Sequence, residues 1–214
     1  MFTKYGYTTI GIVAIISFIL ISLSFFINSN LIKSVLIIIA LIFIALTLNF
    51  FRDPERTTPT KDNIIIAPAD GKIILIKDIY DDKFINGKAK QVSIFMSIFD
   101  VHVNRIPVSG KIAYLKYHQG EYLTAYDDKA SEKNERMEIG IETKSGKVLF
   151  TQVAGFIARR IVCELKENQE VIIGNRFGMI KFGSRVDVIV PANWIVKVKK
   201  NDKVYAGESI LFEY

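Results

Sequence analysis

The stretch that decides the fold is Pro68-Ala-Asp-Gly-Lys-Ile73, which recurs 39 positions later as Pro107-Val-Ser-Gly-Lys-Ile112. In both copies a glycine turn leads into a run of β-prone residues. A second pair of echoes lies nearer the C-terminus, Asn168-x-x-Val171-x-x-Gly174-x-x-Phe177 and Asn201-x-x-Val204-x-x-Gly207-x-x-Ile210. Two repeated turn-and-strand units predict a β domain built from two related halves.

The rest of residues 63–214 also fits a mainly β domain, with one weak helix predicted near Asp127–Glu135. The second echo resembles the turn-and-strand unit of biotinyl and lipoyl domains, so we expect a flattened double-sheet β domain. Short alternating or apolar runs, broken by Gly, Pro, Asn and Asp, are the predicted strands: Lys72–Ile79, Gln91–Ile98, Lys111–Tyr117, Met137–Thr143, Lys147–Val153, Ile161–Leu165, Val186–Val190 and Trp194–Val198.

Residues 1–51 have a different composition, with Lys4 and Lys33 as their only charged side chains. The apolar runs 8–27 and 31–51 are each long enough for a helix to cross about 30 Å of hydrocarbon. A cleaved signal peptide fits poorly, because no small-residue cleavage site follows the first run. We predict a transmembrane α-hairpin with helices at about 8–27 and 31–51, a linker at 52–62 and a domain at 63–214.

Charges around the predicted hairpin indicate its orientation. Lys4 precedes it, and Arg52, Arg56 and Lys61 follow it. The positive-inside rule then places both ends, and the domain, on the cytoplasmic side of the cell membrane. Residues 52–214 hold 26 basic and 22 acidic side chains, a mild excess that fits an anionic membrane surface and is too scattered to indicate nucleic acid.

The single cysteine, Cys163, excludes an internal disulfide bond. It lies in an alternating apolar run, which is typical of a buried, unreactive thiol. One cysteine and two histidines also argue against a zinc site, and we expect no metal cofactor.

A Gly-Ser bond between two β-prone runs, at Gly183-Ser184, carries the candidate chemistry. A serine hydroxyl can attack the preceding carbonyl if a base removes its proton. Taken alone, the tripeptide Phe182-Gly-Ser184 is better explained as a glycine bulge. Seven motifs in order change that interpretation: Asn49-Phe-Phe-Arg-Asp-Pro54, Pro68-Ala-Asp-Gly71, Phe99-Asp-Val-His-Val-Asn-Arg-Ile-Pro107, Tyr117-His-Gln-Gly120, Lys129-Ala-Ser-Glu-Lys-Asn-Glu-Arg136, Gln152-Val-Ala-Gly-Phe-Ile-Ala-Arg-Arg160 and Arg176-Phe-Gly-Met-Ile-Lys-Phe-Gly-Ser-Arg185.

Together these motifs resemble the short form of phosphatidylserine decarboxylase proenzymes. The resemblance implies self-cleavage between Gly183 and Ser184, giving a large subunit, 1–183, and a small subunit, 184–214. Ser184 would become a pyruvoyl group, which forms a Schiff base with the substrate amine and accepts electrons when carbon dioxide leaves. The implied reaction converts phosphatidylserine in the membrane to phosphatidylethanolamine.

The resemblance also implies roles for other residues. His102 is the expected base and Asp70 the acid that orients it. Longer family members carry a second histidine where this chain has Arg105, so His118 stays open as an alternative base. Arg159, Arg160 and Arg185 could hold the substrate phosphate or carboxylate, although a solvated basic face would give the same sequence.

Three other interpretations stay open at this point. The ether lipid archaetidylserine presents the same serine head group, so an archaetidylserine decarboxylase would have the same site. Asp128-Lys129-Ala130 matches the tripeptide that carries lipoyl in carrier domains, although it lies in the least strand-like stretch. A non-catalytic membrane assembly protein is the third. The sequence leaves the oligomeric state open, a homo-oligomer included.

Overall fold

The computed structural model describes residues 1–120, 134–155, 160–181 and 184–214, and the chain divides into two compact units. The first unit is Met1–Glu55 and the second is Arg56–Tyr214. The finer boundaries, with a linker at 52–62, stay a prediction.

Two apolar helices make up most of the first unit, α1 (Tyr7–Ser24) and α2 (Asn30–Phe50). Both are long and apolar enough to cross a membrane. They pack through small residues, and the buried hydroxyl of Ser17 donates a hydrogen bond to the carbonyl of Ala40 at 3.4 Å. Their large apolar side chains are mostly exposed, as expected for helices that face lipid.

The two helices form an antiparallel hairpin, because the start of α1 meets the end of α2. The amide of Thr3 donates to the carbonyl of Phe51 at 3.0 Å, and the amide of Asp53 donates to that of Met1 at 2.8 Å. Helix α1 ends three residues before the predicted position 27. There the Ser24 hydroxyl donates a hydrogen bond to the carbonyl of Ile21. The next backbone amides donate to carbonyls three residues back instead of four, as is common at the end of a helix.

The second unit is mainly β, as predicted. In its described residues the strands form one curled eight-stranded antiparallel sheet, ordered β13-β2-β3-β11-β7-β6-β5-β9, and two three-stranded sheets, β1-β14-β12 and β4-β10-β8. In chain order the strands are β1 (Ile64–Ile66), β2 (Gly71–Asp81), β3 (Gly87–Met96), β4 (Val103–Arg105), β5 (Gly110–His118), β6 (Arg136–Thr143), β7 (Gly146–Ala154), β8 (Arg160–Cys163), β9 (Glu170–Val171), β10 (Arg176–Lys181), β11 (Ser184–Pro191), β12 (Ile195–Val196), β13 (Lys203–Val204) and β14 (Ile210–Glu213).

The first echo in the sequence marks the same structure twice. Gly71 opens β2 and Gly110 opens β5. Each strand then carries a register shift at the equivalent place, just after Ile73 in β2 and just after Ile112 in β5. A shared bulge at the same offset shows that the two turn-and-strand units are structural copies.

The second echo completes the duplication. Asn168 and Asn201 both have positive φ, 66° and 79°, and each amide donates at 2.8 Å to an equivalent isoleucine carbonyl, that of Ile112 or Ile73. The short strands that follow, β9 and β13, then pair with the starts of β5 and β2 at opposite edges of the large sheet. The prediction of two related halves is therefore confirmed.

The core lies between the large sheet and the two small sheets. Alternate residues of the central strands fill it, among them Ile94, Phe150, Val188 and, from β10, Phe177, all fully or almost fully buried. Burying each such side chain contributes roughly 1.5–3 kcal/mol. The helix predicted near Asp127–Glu135 falls mostly outside the described residues.

Candidate active site

Ser184 is the first residue of β11, the strand at the centre of the large sheet. Its neighbours across the sheet are Met96, the last residue of β3, and Ala154, the last residue of β7. The side chain is fully buried, and its hydroxyl donates to the sulfur of Met96 at 3.1 Å. The predicted nucleophile is therefore held out of bulk water at the ends of three strands. Its partner in the predicted cleavage, Gly183, lies outside the described residues.

Strand β4 and its small sheet cover the face of the large sheet on which the Ser184 side chain lies. Asn104 of β4 faces the sulfur of Met96 at 3.9 Å and accepts a hydrogen bond from the side-chain nitrogen of Gln152 at 2.9 Å. Gln152 is fully buried, and its amide oxygen has no hydrogen-bond partner among the described residues. The site thus contains a buried acceptor two residues from Ala154.

His102 immediately precedes β4, and its side chain is fully buried. It lies two positions before Asn104, so their Cα atoms lie within about 7 Å of each other. The ring Nδ1 is 2.9 Å from the main-chain carbonyl of Asp100. A carbonyl can only accept, so Nδ1 carries the proton and the neutral ring has its lone pair on Nε2.

Asp70 lies in the turn before β2, close to β4, since the carbonyl of Pro68 accepts from the amide of Arg105 at 2.9 Å. One carboxylate oxygen of Asp70 accepts from Arg56 at 2.7 Å, and the other accepts from the amide of Ala206 at 2.8 Å. Arg56 is mostly buried in this ion pair. A role for Asp70 in orienting His102 stays a prediction, whereas its contact with Arg56 is a structural fact that the sequence analysis did not anticipate.

The second histidine, His118, belongs to a cluster around the buried carboxylate of Glu138. The Nε2 atom of His118 lies 3.0 Å from a Glu138 oxygen, and its Nδ1 lies 3.3 Å from the guanidinium of Arg136. Arginine can only donate, so Nδ1 holds the lone pair and Nε2–H donates to Glu138. Both ring nitrogens of His118 are thus already hydrogen-bonded.

Glu138 is almost completely buried yet stays ionised. Burial by itself would raise its pKa, but hydrogen bonds from Lys83 at 2.6 Å, Tyr114 at 2.9 Å and His118 lower the pKa to about 2. The hydrogen bond between Tyr114 and Glu138 also changes the pKa of the tyrosine. Burial and this hydrogen bond raise the pKa of Tyr114 to about 12. This cluster is therefore a fixed charge network at the end of β5.

His118 and Ser184 lie on opposite faces of the large sheet. His118, Arg136, Val153 and Arg185 form one row across β5, β6, β7 and β11. Side chains directly opposite each other in an antiparallel sheet share a face, whereas neighbours along a strand alternate. Ser184 precedes Arg185, so its side chain lies on the face away from His118.

The predicted substrate-binding arginines have different surroundings. Arg185 is fully buried, and it donates to Asp187 at 2.6 Å and to the hydroxyl of Ser93 at 3.0 Å. Arg160 is exposed at the start of β8, opposite Lys181 of β10. Burial and the nearby Arg160 charge lower the pKa of Lys181. Arg159 lies outside the described residues.

Comparison with known proteins identifies the family. A family model described as phosphatidylserine decarboxylase matches residues 43–212. The chain belongs to the phosphatidylserine decarboxylase family. It is 48% identical over the full length of both chains to the phosphatidylserine decarboxylase proenzyme of Chlorobium limicola. It is 50% identical to that of Chlorobium phaeobacteroides over 99% of each chain, and 53% identical to that of Chlorobaculum tepidum over 80% of this chain and 79% of the relative.

Membership of the phosphatidylserine decarboxylase family makes the chain a decarboxylase and removes two of the open interpretations, the lipoyl carrier and the non-catalytic assembly protein. Lys129, the residue proposed to carry lipoyl, lies outside the described residues. In the described part of the chain no three His, Cys, Asp or Glu side chains group as metal ligands do. Burial raises the pKa of Cys163, which keeps its thiol protonated.

Arg105, where longer members of this decarboxylase family have a histidine, contacts both duplicated turns. Its guanidinium donates a hydrogen bond to the carbonyl of Gly174 at 3.0 Å. Its side chain packs so closely against Gly207 that a Cβ atom added to this glycine would lie 2.8 Å from the Arg105 Cδ atom. Arg105 thus joins the two duplicated turns. The sequence did not identify Met96, Asn104 or Gln152 as individual site residues. The last two lie within quoted motifs, but nothing local indicates that they meet beside Ser184.

Proposed function

We propose that the chain is a membrane-anchored proenzyme that cleaves itself between Gly183 and Ser184 and then decarboxylates phosphatidylserine to phosphatidylethanolamine. The observation that carries this proposal is the position of Ser184. It is a buried hydroxyl at the head of the central strand, beside the strand that follows His102, in a chain of the phosphatidylserine decarboxylase family.

His102 is the proposed base for self-cleavage. The Ser184 hydroxyl gives its proton to Nε2, and its oxygen bonds to the carbonyl carbon of Gly183. The peptide C–N bond then breaks as the imidazolium returns that proton to the nitrogen of residue 184, which leaves an ester. Removal of the Cα proton then breaks the Cβ–O bond, which releases Gly183 as a carboxylate and leaves dehydroalanine at 184. Its imine tautomer takes up water and loses ammonia, and a pyruvoyl group remains. The Nδ1–H bond to the carbonyl of Asp100 supports this role, because it fixes the tautomer whose lone pair is on Nε2.

The surroundings of Ser184 fit a pyruvoyl group. Such a group supplies a ketone that condenses with a primary amine and accepts the electron pair released with carbon dioxide. The buried oxygen of Gln152, which has no hydrogen-bond partner among the described residues, lies on the same face as Ser184, two pairs along the ladder between β7 and β11. It could accept a hydrogen bond from the substrate amine, a donor that the described residues do not supply. His102 can return a proton to the carbon that loses carbon dioxide.

The substrate is proposed to be a serine phospholipid held near Arg160 and Lys181, whose positive charges suit its phosphate or carboxylate. Arg185 has its charge neutralised by Asp187, which supports a role in holding β11 rather than one in binding lipid. The family's named lipid favours phosphatidylserine. An ether-linked archaetidylserine stays the alternative, because the residues near Ser184 would read the same head group.

The hairpin of α1 and α2 is proposed to anchor the enzyme, with the catalytic domain on the cytoplasmic side. Its apolar, exposed helices and the flanking positive charges support this placement. Self-cleavage would give subunits 1–183 and 184–214 that stay associated.

Mass spectrometry of the purified protein tests the proposal. We expect two chains, with the small chain beginning at a blocked residue 184, and a borohydride-trapped adduct with substrate on that chain. A single intact chain with an unmodified Ser184 in active enzyme would overturn the pyruvoyl mechanism.

Variants separate the two histidines. His102→Ala should impair both cleavage, followed by gel shift, and carbon dioxide release. His118→Ala should affect neither strongly, since His118 lies on the other face of the sheet. Cleavage that survives in His102→Ala but is abolished in His118→Ala would reverse the assignment.

A further inference from the structure

The turn that joins β3 to β4 exposes two large apolar side chains beside the candidate active site. Ile98 is 44% exposed and Phe99 is 62% exposed. They follow Met96 by two and three residues, so their Cα atoms lie within about 7 and 11 Å of the Cα atom that pairs with Ser184. We call Ser97–Asp100 the apolar turn. The two side chains are adjacent in the sequence and together form an exposed apolar tip on this turn.

The apolar turn is built to hold these side chains outward. The carboxylate of Asp100 accepts from the amide of Ser97 at 2.8 Å, and the amide of Asp100 donates back to the carbonyl of Ser97 at 2.9 Å. The Ser97 hydroxyl accepts from the amide of Phe99 at 3.3 Å. The polar groups thus bond within the turn, and the apolar side chains are left at its tip.

The same turn contacts the proposed catalytic machinery. The carbonyl of Asp100 accepts the Nδ1–H of His102. Lys181, three positions before Ser184 in the sequence, pairs with the exposed Arg160 where β10 ends and β8 begins. An apolar tip with neighbouring cations is the chemistry that suits the interface of a bilayer containing anionic lipid.

We propose that the apolar turn is a second membrane contact, distinct from the helical hairpin, which inserts Ile98 and Phe99 between lipid head groups and brings the site around Ser184 to the bilayer surface. This inference rests on the proposed function, since a lipid substrate gives the site a reason to meet the membrane. The partner that we propose for the apolar turn is a bilayer containing serine phospholipid. A second copy of the chain is the competing occupant of the turn.

Fluorescence quenching tests insertion without using activity. The full chain carries Phe99→Trp in a Trp194→Phe background and is reconstituted in phosphatidylcholine vesicles with a minority of phosphatidylserine, with or without bromine on the acyl chains. The matched control is Tyr80→Trp in the same background. Tyr80 is also exposed and aromatic, but it pairs with Lys88 at the opposite end of the β2–β3 ladder from Met96.

We expect the probe at position 99 to be blue-shifted and quenched by brominated lipid, and the probe at position 80 to be neither. Equal quenching of both probes, or none at position 99, would overturn the proposal. A blue shift without bromine quenching, together with a dimeric mass in detergent, would assign the turn to contact between copies and would equally overturn it.

Kinetics give the functional readout. Ile98→Ser with Phe99→Ser should raise KM for lipid in vesicles on the order of tenfold, because partial burial of two large apolar side chains is lost. Its self-cleavage and kcat should stay close to wild type, and Tyr80→Ser should match wild type throughout. An unchanged KM would count against the turn as a docking element. If the wild type itself neither cleaves nor releases carbon dioxide, the proposed function fails, whereas the quenching result still decides whether the turn inserts.

Discussion

Replacing Glu138 by glutamine should destabilise the domain measurably, because this buried carboxylate is held ionised by the side chains around it. Its pKa is about 2 rather than the ordinary 4.5. At 1.36 kcal/mol per pKa unit, that difference corresponds to at most about 3 kcal/mol of stability at neutral pH. Lys83 is 45% exposed, so solvent screens part of its contribution. We therefore expect Glu138→Gln to cost about 2 kcal/mol, or roughly 4–8 °C in Tm for a chain of this size.

The pH dependence has a defined sign. A carboxyl whose pKa is lowered by folding contributes its full stability above its unfolded pKa, here about 4.5, and loses it as the pH falls toward the folded value of about 2. The difference in Tm between wild type and Glu138→Gln should therefore be constant from pH 7 to about 5.5. It should narrow steadily at more acidic pH.

The assay is thermal unfolding in detergent, followed by far-ultraviolet circular dichroism, with Ser184→Ala in every variant so that the chain stays intact. Glu142→Gln is the matched control, because Glu142 lies on the same strand, is half exposed and meets Lys147 only at 3.7 Å. It should change stability by less than about 0.5 kcal/mol. The reasoning would be refuted if the two variants lost the same Tm, or if the Glu138→Gln difference persisted unchanged at pH 3.

Three further predictions concern the site and the anchor. Arg56→Ala should slow self-cleavage on gels, because Asp70 loses the cation 2.7 Å from its carboxylate, and Asp70→Asn should do the same; processing at the wild-type rate in both variants would remove this pair from the site. Deleting residues 1–51 should leave a domain that folds by circular dichroism and self-cleaves, but with lower activity on vesicles than the full chain, since the hairpin raises the effective concentration at the surface; a folded yet uncleaved domain would contradict it. Cys163→Ala should stay within about twofold of wild-type activity, and iodoacetamide should modify Cys163 slowly at pH 7.5, because burial raises the pKa of its thiol; rapid inactivation by the reagent would count against a merely structural thiol.

The sequence was sufficient for the larger features of the fold because their signals are local and repeated. Apolar runs of about 20 residues predict helices α1 and α2, and alternating runs such as Gln91–Ile98 predict most long strands. The duplicated turns were visible because both copies need the same residues, a positive-φ asparagine and a glycine with φ of +82°. Strands of two or three residues, such as β9 and β13, were missed because they are too short to show a period.

The site was predictable only in part, since its geometry depends on pairing between distant strands. The serine and the two histidines could be named from motifs, but the opposite faces on which Ser184 and His118 lie follow from the register of four neighbouring strands. Arg56 reads in the sequence as a charge flanking the membrane, whereas in the structure it pairs with Asp70 and with Glu208, 152 residues away. No local sequence pattern predicts a contact between residues so far apart in the chain.

The central position of β11 determines the order in which the enzyme must fold and be cleaved. This strand is hydrogen-bonded to β3 along its whole length and to β7 from Ser184 to Ile189, and β14, near the C-terminus, pairs with β1 and β12. A fragment beginning at Ser184 therefore supplies a central strand of the large sheet, β11, and the central strand of a small sheet, β14. It could not be added later as a separate peptide, because its place exists only once its neighbours are aligned. Under the proposed cleavage, the gene must encode one chain that folds first and is cut afterwards, and the two products then stay together until the whole domain unfolds.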